Sequence, residues 1–174
     1  MKRCTVVVVL ILACALSGEA ADLECSLAAG ITSQVGVVFN GAFDPGLSGL
    51  GLEILGRVTW ESLQGEFGIE SGASPIGWQV LFPFRAGFRW GTGSVHGTVL
   101  LEAAPGFSFT RPLLFMAGLG GIGRLEWDLS SHFGLYAGAG VRYTFCPSYQ
   151  QFTAASYQSL DIPITAGARL RLAP

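Results

Sequence analysis

The sequence predicts an all-β chain that spans a membrane as an eight-stranded, antiparallel, up-and-down β-barrel. Three observations point there. Apolar and polar residues alternate with a period of two over stretches much longer than the usual globular strand of about 5–6 residues. Only 13% of the 174 residues are charged, while 50% are apolar; an ordinary soluble domain carries about 25% charge. Turn-forming residues cut the alternating pattern into eight segments.

The amino terminus reads as an export signal. Lys2 and Arg3 precede the apolar run Thr5–Leu16, and Gly18 and Ala20 supply the small residues a signal peptidase needs. This predicts cleavage after Ala20, residues 1–20 being the signal peptide and 21–174 the barrel domain. The run is too short for a spanning helix, which needs about 20 apolar residues. A second reading takes Ile11-Leu12-Ala13-Cys14 as a loose lipoprotein box. The mature chain then holds eight Arg and no Lys. The full chain, with a net charge of -2 and no basic run beyond Lys2-Arg3, is not a nucleic-acid binder.

The predicted strands cover residues 29–40, 50–61, 63–71, 78–90, 94–104, 113–128, 132–145 and 159–172, the short third being the weakest. In the second, Leu50, Leu52, Ile54, Val58 and Trp60 share one parity, and Glu53, Arg57 and Thr59 the other. The seventh sets Leu135, Ala137, Ala139 and Val141 against Tyr136, Arg142 and Thr144. The last sets Leu160, Ile162, Ile164, Leu170 and Leu172 against Asp161, Thr165, Arg169 and Arg171. Turns are expected at Asp44-Pro45-Gly46, Ser74-Pro75, Gly91-Thr92-Gly93, Ser130-Ser131 and Cys146-Pro147-Ser148. Connections after strands 2, 4 and 6 are short and those after 1, 3, 5 and 7 longer, which is the pattern of periplasmic turns and extracellular loops.

Alternation alone does not say which face is inside, since a soluble lipocalin-like barrel also alternates. Charge decides. The polar parity carries Arg57, Arg85, Arg89, Arg124, Arg142, Arg169 and Arg171, together with Glu53, Glu61, Glu66, Glu70, Glu102, Glu126, Asp128 and Asp161. A solvent-facing surface would hold more charge, Lys included. An Arg on a lipid face near the midplane costs about 2–4 kcal/mol, so three would consume most of a stability of about 5–15 kcal/mol. The Arg-bearing parity therefore faces inward, and its charges must pair. Glu66 and Arg85, on adjacent strands, are expected to pair near mid-depth.

Trp60, Trp90 and Trp127 fall on the apolar parity at the periplasmic ends of three strands, as an interfacial aromatic girdle requires. Phe39, Trp78, Tyr143 and Phe145 are expected to form the opposite girdle. In the last strand, Thr165, Gly167, Leu170 and Leu172 fit the insertion signal of outer-membrane barrels, although Leu172-Ala173-Pro174 replaces the usual terminal aromatic. On these residues the mature chain resembles the small eight-stranded outer-membrane barrels of the OmpA, OmpX and OmpW types. The resemblance implies recognition by the barrel-assembly machinery. It also implies a role as anchor, adhesin, evasion factor or narrow channel for small apolar solutes. The expected surroundings are outer-membrane lipid, with a host or extracellular ligand held by the loops and a monomeric state.

The inward parity is rich in Gly: Gly36, Gly51, Gly68, Gly87, Gly118, Gly120, Gly138, Gly140 and Gly167. These either make room for long Arg and Glu side chains that plug the barrel, or leave a narrow path for water or solute. Ser94, His96 and Glu102 share a face, but it points away from lipid and no nucleophile motif surrounds it, so an esterase is the remote reading. Two histidines and two mature cysteines give no metal-ligand spacing, and no cofactor is expected. The topology sets Cys25 and Cys146 a membrane thickness apart, too far for a disulfide. Phe107-Ser108-Phe109 and Tyr149–Thr153 with Tyr157, read as long loops, suit either a contact surface or the outer girdle.

Overall fold

A computed structural model of the chain describes residues 23–39, 43–74, 77–109, 113–147 and 157–172. The expected signal peptide, Cys14, Arg111 and Tyr149–Thr153 lie outside these residues. The strands are β1 (Leu23–Phe39), β2 (Phe43–Trp60), β3 (Leu63–Ser74), β4 (Gly77–Leu81), β5 (Phe84–Thr92), β6 (Val95–Phe109), β7 (Leu114–Asp128), β8 (Phe133–Cys146) and β9 (Tyr157–Arg171). Among the described residues there is no helix. All pairings are antiparallel: β3 and β6 each pair with both β4 and β5, the other strands pair with their neighbours in sequence, and β1 also pairs with β9, closing the sheet.

Nine strands make eight staves, because β4 and β5 are halves of one. The break falls at Phe82-Pro83, where proline has no N–H to give the ladder. The stave is otherwise continuous. Phe82 N still donates to Pro105 O, Pro83 O accepts from Gly68 N, and Pro83 points inward between Leu81 and Arg85.

Several strands outrun the expected bounds. β1 starts at Leu23 rather than residue 29, β2 starts at Phe43 rather than 50, and β3 and β6 extend to Ser74 and Phe109. Asp44-Pro45-Gly46, expected as a turn, pairs with Val38, Val37 and Gly36 of β1. The ladder of β2 with β3 begins only at Gly51–Gly72, so Pro45 sits where β2 has one partner, and an edge accepts proline. The connections after the first, third and fifth staves are therefore short, and residues 147–156 form the one long connection. At the register shift between Gln34 and Val35, Ser48 of β2 has no partner in β1, a bulge that bends β2 there.

The two parities separate cleanly. Leu52, Val141 and Ile164 are 64%, 52% and 49% exposed, whereas Arg57, Arg142 and Arg169 are 2%, 1% and 2% exposed. Burying a guanidinium while exposing a Leu is stable only where the surroundings are hydrocarbon. Trp60, Trp90 and Trp127 face outward at the end where β1 begins, β9 ends and the turns after β2, β5 and β7 lie. Trp78 and Tyr143 face outward at the other end, joined by Phe107 and Phe109, which belong to β6 rather than to a loop. Tyr143 Oη donates to Gln158 Oε1, and Trp78 Nε1 to Ser71 Oγ. The Phe39 side chain lies outside the described set.

Candidate functional site

The interior is the candidate site, and its residues come from every stave. Ladder neighbours share a level, so the inward parity stacks charges in rows: Arg57 of β2 lies beside Glu66 of β3, Glu66 beside Arg85 of β5, and Arg85 beside Glu102 of β6.

Around the middle of the barrel, four Arg meet five Glu. Arg85 Nε donates to Glu102 Oε2 at 2.6 Å, and its Nη1 reaches Glu53 at 3.1 Å and Glu66 at 3.4 Å. Arg142 forks between two carboxylates. Its Nε binds Glu102 at 2.6 Å, while Nη1 and Nη2 bind the two oxygens of Glu70 at 2.9 and 2.7 Å. Arg57 lies 2.9 Å from Glu66 and 3.0 Å from Glu126. Arg124 Nη1 donates to Glu66 at 2.5 Å. These are the bidentate and multivalent geometries that guanidinium supplies and ammonium does not. Their side chains are at most 3% exposed.

A second tier lies toward the turn end and is partly open. Arg169 Nη1 donates to Glu126 Oε2 at 2.8 Å, which ties the tiers together, and its Nη2 binds Asp128. Arg171 donates to Glu24 at 2.9 Å and to Asp128 at 2.5 Å. Arg89 donates to Glu24 at 3.3 Å. His96 Nε2 stands 3.1 Å from Asp128 Oδ2.

Of the fifteen charged residues that the sequence places on the inward parity, all but Glu61 therefore point inward. Three neighbours were not in that set. Glu24 falls in the part of β1 that precedes residue 29; carrying the β1 parity back would have reached it. Tyr136 lies on the polar parity, 2% exposed, and its hydroxyl donates to Glu53 Oε1 at 2.9 Å. The guanidinium carbons of Arg57 and Arg124 sit 4.4 and 5.2 Å from its ring centre. Gln34 donates to Glu70 at 2.8 Å. One expected member is displaced: Glu61 occupies the two-residue turn after β2 with a φ of 53°, where it is exposed and off the parity.

The inward glycines do two jobs. A Cβ at Gly118 would stand 3.1 Å from Arg142 Cδ, and one at Gly138 would stand 2.5 Å from Arg124 Cγ, so these two make room for Arg stems. Gly30 and Gly167 leave space for the Tyr136 hydroxyl. Gly51, Gly68, Gly87, Gly120 and Gly140 instead face backbone of the adjoining strand, where close approach of the chains is what excludes a side chain. Toward the loop end, Leu114, Met116, Cys146 and Tyr157 form a small apolar cluster inside the barrel.

Ser94, His96 and Glu102 do not assemble into a catalytic group. His96 faces Asp128, and Glu102 is held by Arg85 and Arg142 three rows higher. Cys25 lies near the start of β1 beside Val58, and Cys146 ends β8 beside Tyr157, at opposite ends of the barrel. Thr165 and Gly167 of the last strand are inward, while Leu170 and Leu172 are outward.

No family model matches the chain, and no curated protein does. Among solved structures, it is similar to neisserial surface protein A (NspA), with a TM-score of 0.51 and 14% identity over 84% of this chain and 96% of that one. It is also similar to Ail, the attachment invasion locus protein of Yersinia pestis, solved with the heparin analogue sucrose octasulfate, with a TM-score of 0.46 and 15% identity over 85% and 99% of the two chains. The likeness to NspA and the closed sheet together show that this chain has the fold of the small eight-stranded outer-membrane barrels.

Proposed function

We propose that the protein is an integral outer-membrane barrel, monomeric and without catalysis, whose role lies in surface interaction or in the structure of the envelope. One observation carries the reading: the Glu53–Arg85–Glu102 layer is closed by direct contacts. Arg85 bridges Glu53 and Glu102 across the interior at 3.1 and 2.6 Å, with the three residues 1%, 3% and 7% exposed. An eight-stranded barrel is just wide enough for side chains to fill, and here charged side chains fill it.

In this reading the turn end faces the periplasm and the loop end the exterior. The outward Leu, Ile, Val and Phe stripe meets lipid, and Thr165, Gly167, Leu170 and Leu172 present the signal read by the assembly machinery. The Tyr-, Gln- and Phe-bearing connection between β8 and β9 offers the contact chemistry for an extracellular partner. Conductance across a planar bilayer holding the refolded protein tests the reading. Silence is expected; stable openings would assign the barrel to the narrow channels instead. Turnover of lipid in liposomes containing the protein would overturn the absence of catalysis.

A further inference from the structure

The outward wall is hollowed where β3, β5 and β6 adjoin. Gly65 of β3 pairs with Ala86 of β5, and Ala86 with Leu101 of β6. One row toward the loop end, Phe67 pairs with Phe84; one row toward the turn end, Leu63 pairs with Phe88. Two small residues thus lie between two pairs of large ones, all on the outward parity. The Phe67 ring leans over β2, where a Cβ at Gly56 would stand 3.1 Å from it, whereas a Cβ at Gly65 would meet nothing within 4 Å. The ring therefore leaves the floor uncovered. The hollow measures about 490 Å³, with Gly65 and Ala86 as its floor and Val58, Phe67, Phe84 and Leu101 as its walls. Sites for small molecules span about 300–1,000 Å³.

We propose that this hollow is a binding site for one acyl chain of a membrane phospholipid. The inference rests on the membrane reading above and adds a particular lipid contact to it. Depth sets the surroundings. Along its stave, Ala86 lies four residues from Trp90 of the turn-end girdle and eight from Trp78 of the other. At about 3.3 Å per residue the floor is about 13 Å from Trp90 along the strand, within the hydrocarbon of the turn-end leaflet. Glu66, Arg85 and Glu102, next in sequence to the floor and walls, turn their charges into the interior, so the hollow offers only apolar contact. Lipid supplies no hydrophobic force between apolar surfaces, and association there follows packing. A gap in the wall forfeits dispersion contacts, which a narrow, flexible chain regains by bending into it. A second copy does not suit the site, because a two-fold contact through this face would set hollow against hollow and enlarge the void.

Photolabelling tests the site. The protein is refolded into dimyristoylphosphatidylcholine vesicles that contain a small share of phosphatidylcholine with a diazirine at mid-chain, irradiated, and mapped by mass spectrometry. Label is expected to be several-fold denser on Gly65, Phe67, Phe84, Ala86 and Leu101 than on the outward residues of β8, β9 and β1 across the barrel. Gly65→Leu, whose new side chain enters open space, is expected to bring the hollow down to the level of that far wall while the barrel still inserts. Ala86→Leu repeats the test should the first variant not fold. Even labelling around the parent barrel, or enrichment that survives the filled variants, overturns the proposal. Label missing from the hollow alone, with a dimer found in the same vesicles, gives the site to a second copy and overturns it as well. Label on no outward residue at all would instead overturn the membrane reading, and this inference with it.

Discussion

The Tyr136 hydroxyl donates a 2.9 Å hydrogen bond to Glu53 Oε1, linking β8 to β2 through the interior of the barrel. It passes Gly30 and Gly167, neither of which could carry a side chain in its presence. The phenol thus orients the same carboxylate that Arg85 and Arg124 approach from other staves, and the ring lies beside both Arg57 and Arg124.

Removing that hydroxyl tests how much the strut contributes. Tyr136→Phe leaves the ring and deletes one hydrogen bond to a charged acceptor, a loss of about 1.5–3 kcal/mol. Denaturant unfolding of the refolded barrel in lipid should show a lower midpoint with an unchanged slope. Gly167→Val should be worse, because its side chain would collide with the hydroxyl and with backbone of β1.

Arg85 touches more carboxylates than any other inward residue, reaching Glu53, Glu66, Glu70 and Glu102. Arg85→Ala strands buried negative charge, at a cost of about 3–5 kcal/mol. Arg85→Lys should recover only part of this, because an ammonium cannot fork between Glu53 and Glu102. Loss of heat resistance of the folded band in electrophoresis measures the order: parent, Lys variant, Ala variant.

The two tiers should respond differently to salt. The middle pairs are shielded from solvent, whereas the Glu24 and Arg171 side chains are 21% and 19% exposed. Raising NaCl from 0.1 to 1 M shortens the screening length from about 10 to 3 Å. It should leave the Arg142–Glu70 coupling unchanged in a double-mutant cycle and weaken the Arg171–Glu24 coupling.

Much of this arrangement is legible in the sequence for one physical reason. In a barrel with lipid outside, a misplaced Arg is so costly that parity and charge carry the same information. Once Arg57, Arg142 and Arg169 mark the inside, every residue two positions away along the strand is placed with them. Strand ends are less legible, because the hydrogen-bonded ladder continues past the hydrocarbon layer where composition no longer constrains it. Glu24 and the strand identity of Phe107 and Phe109 were lost there. Partner choice across the interior is not legible either. That Arg57 reaches Glu126 of β7 at 3.0 Å depends on strand tilt and rotamer, which alternation does not encode. Pro83 interrupts one stave without disturbing its parity, so the count of eight survives a count of nine strands.

Lipid contact has its own signature. Leu101, 75% exposed on β6, sits at the level of Arg85 through its neighbour Glu102. Leu101→Arg should cost about 2–4 kcal/mol near the midplane, and the same substitution at Phe109, near the rim, about 0–1. Refolding into bilayers followed by urea titration checks the difference.

The orientation of the outward stripe is the central claim, and spin labelling along β9 tests it most directly. Single labels at Leu160, Ile162, Ile164, Ala166 and Ala168, in a chain carrying Cys25→Ser and Cys146→Ser and refolded into lipid, should collide freely with oxygen, most of all near the middle of the strand, and be shielded from a water-soluble nickel chelate. If the labels at Ile162, Ile164 and Ala166 instead met the nickel chelate as freely as an exposed loop does, this face would lie in water and the account would be wrong.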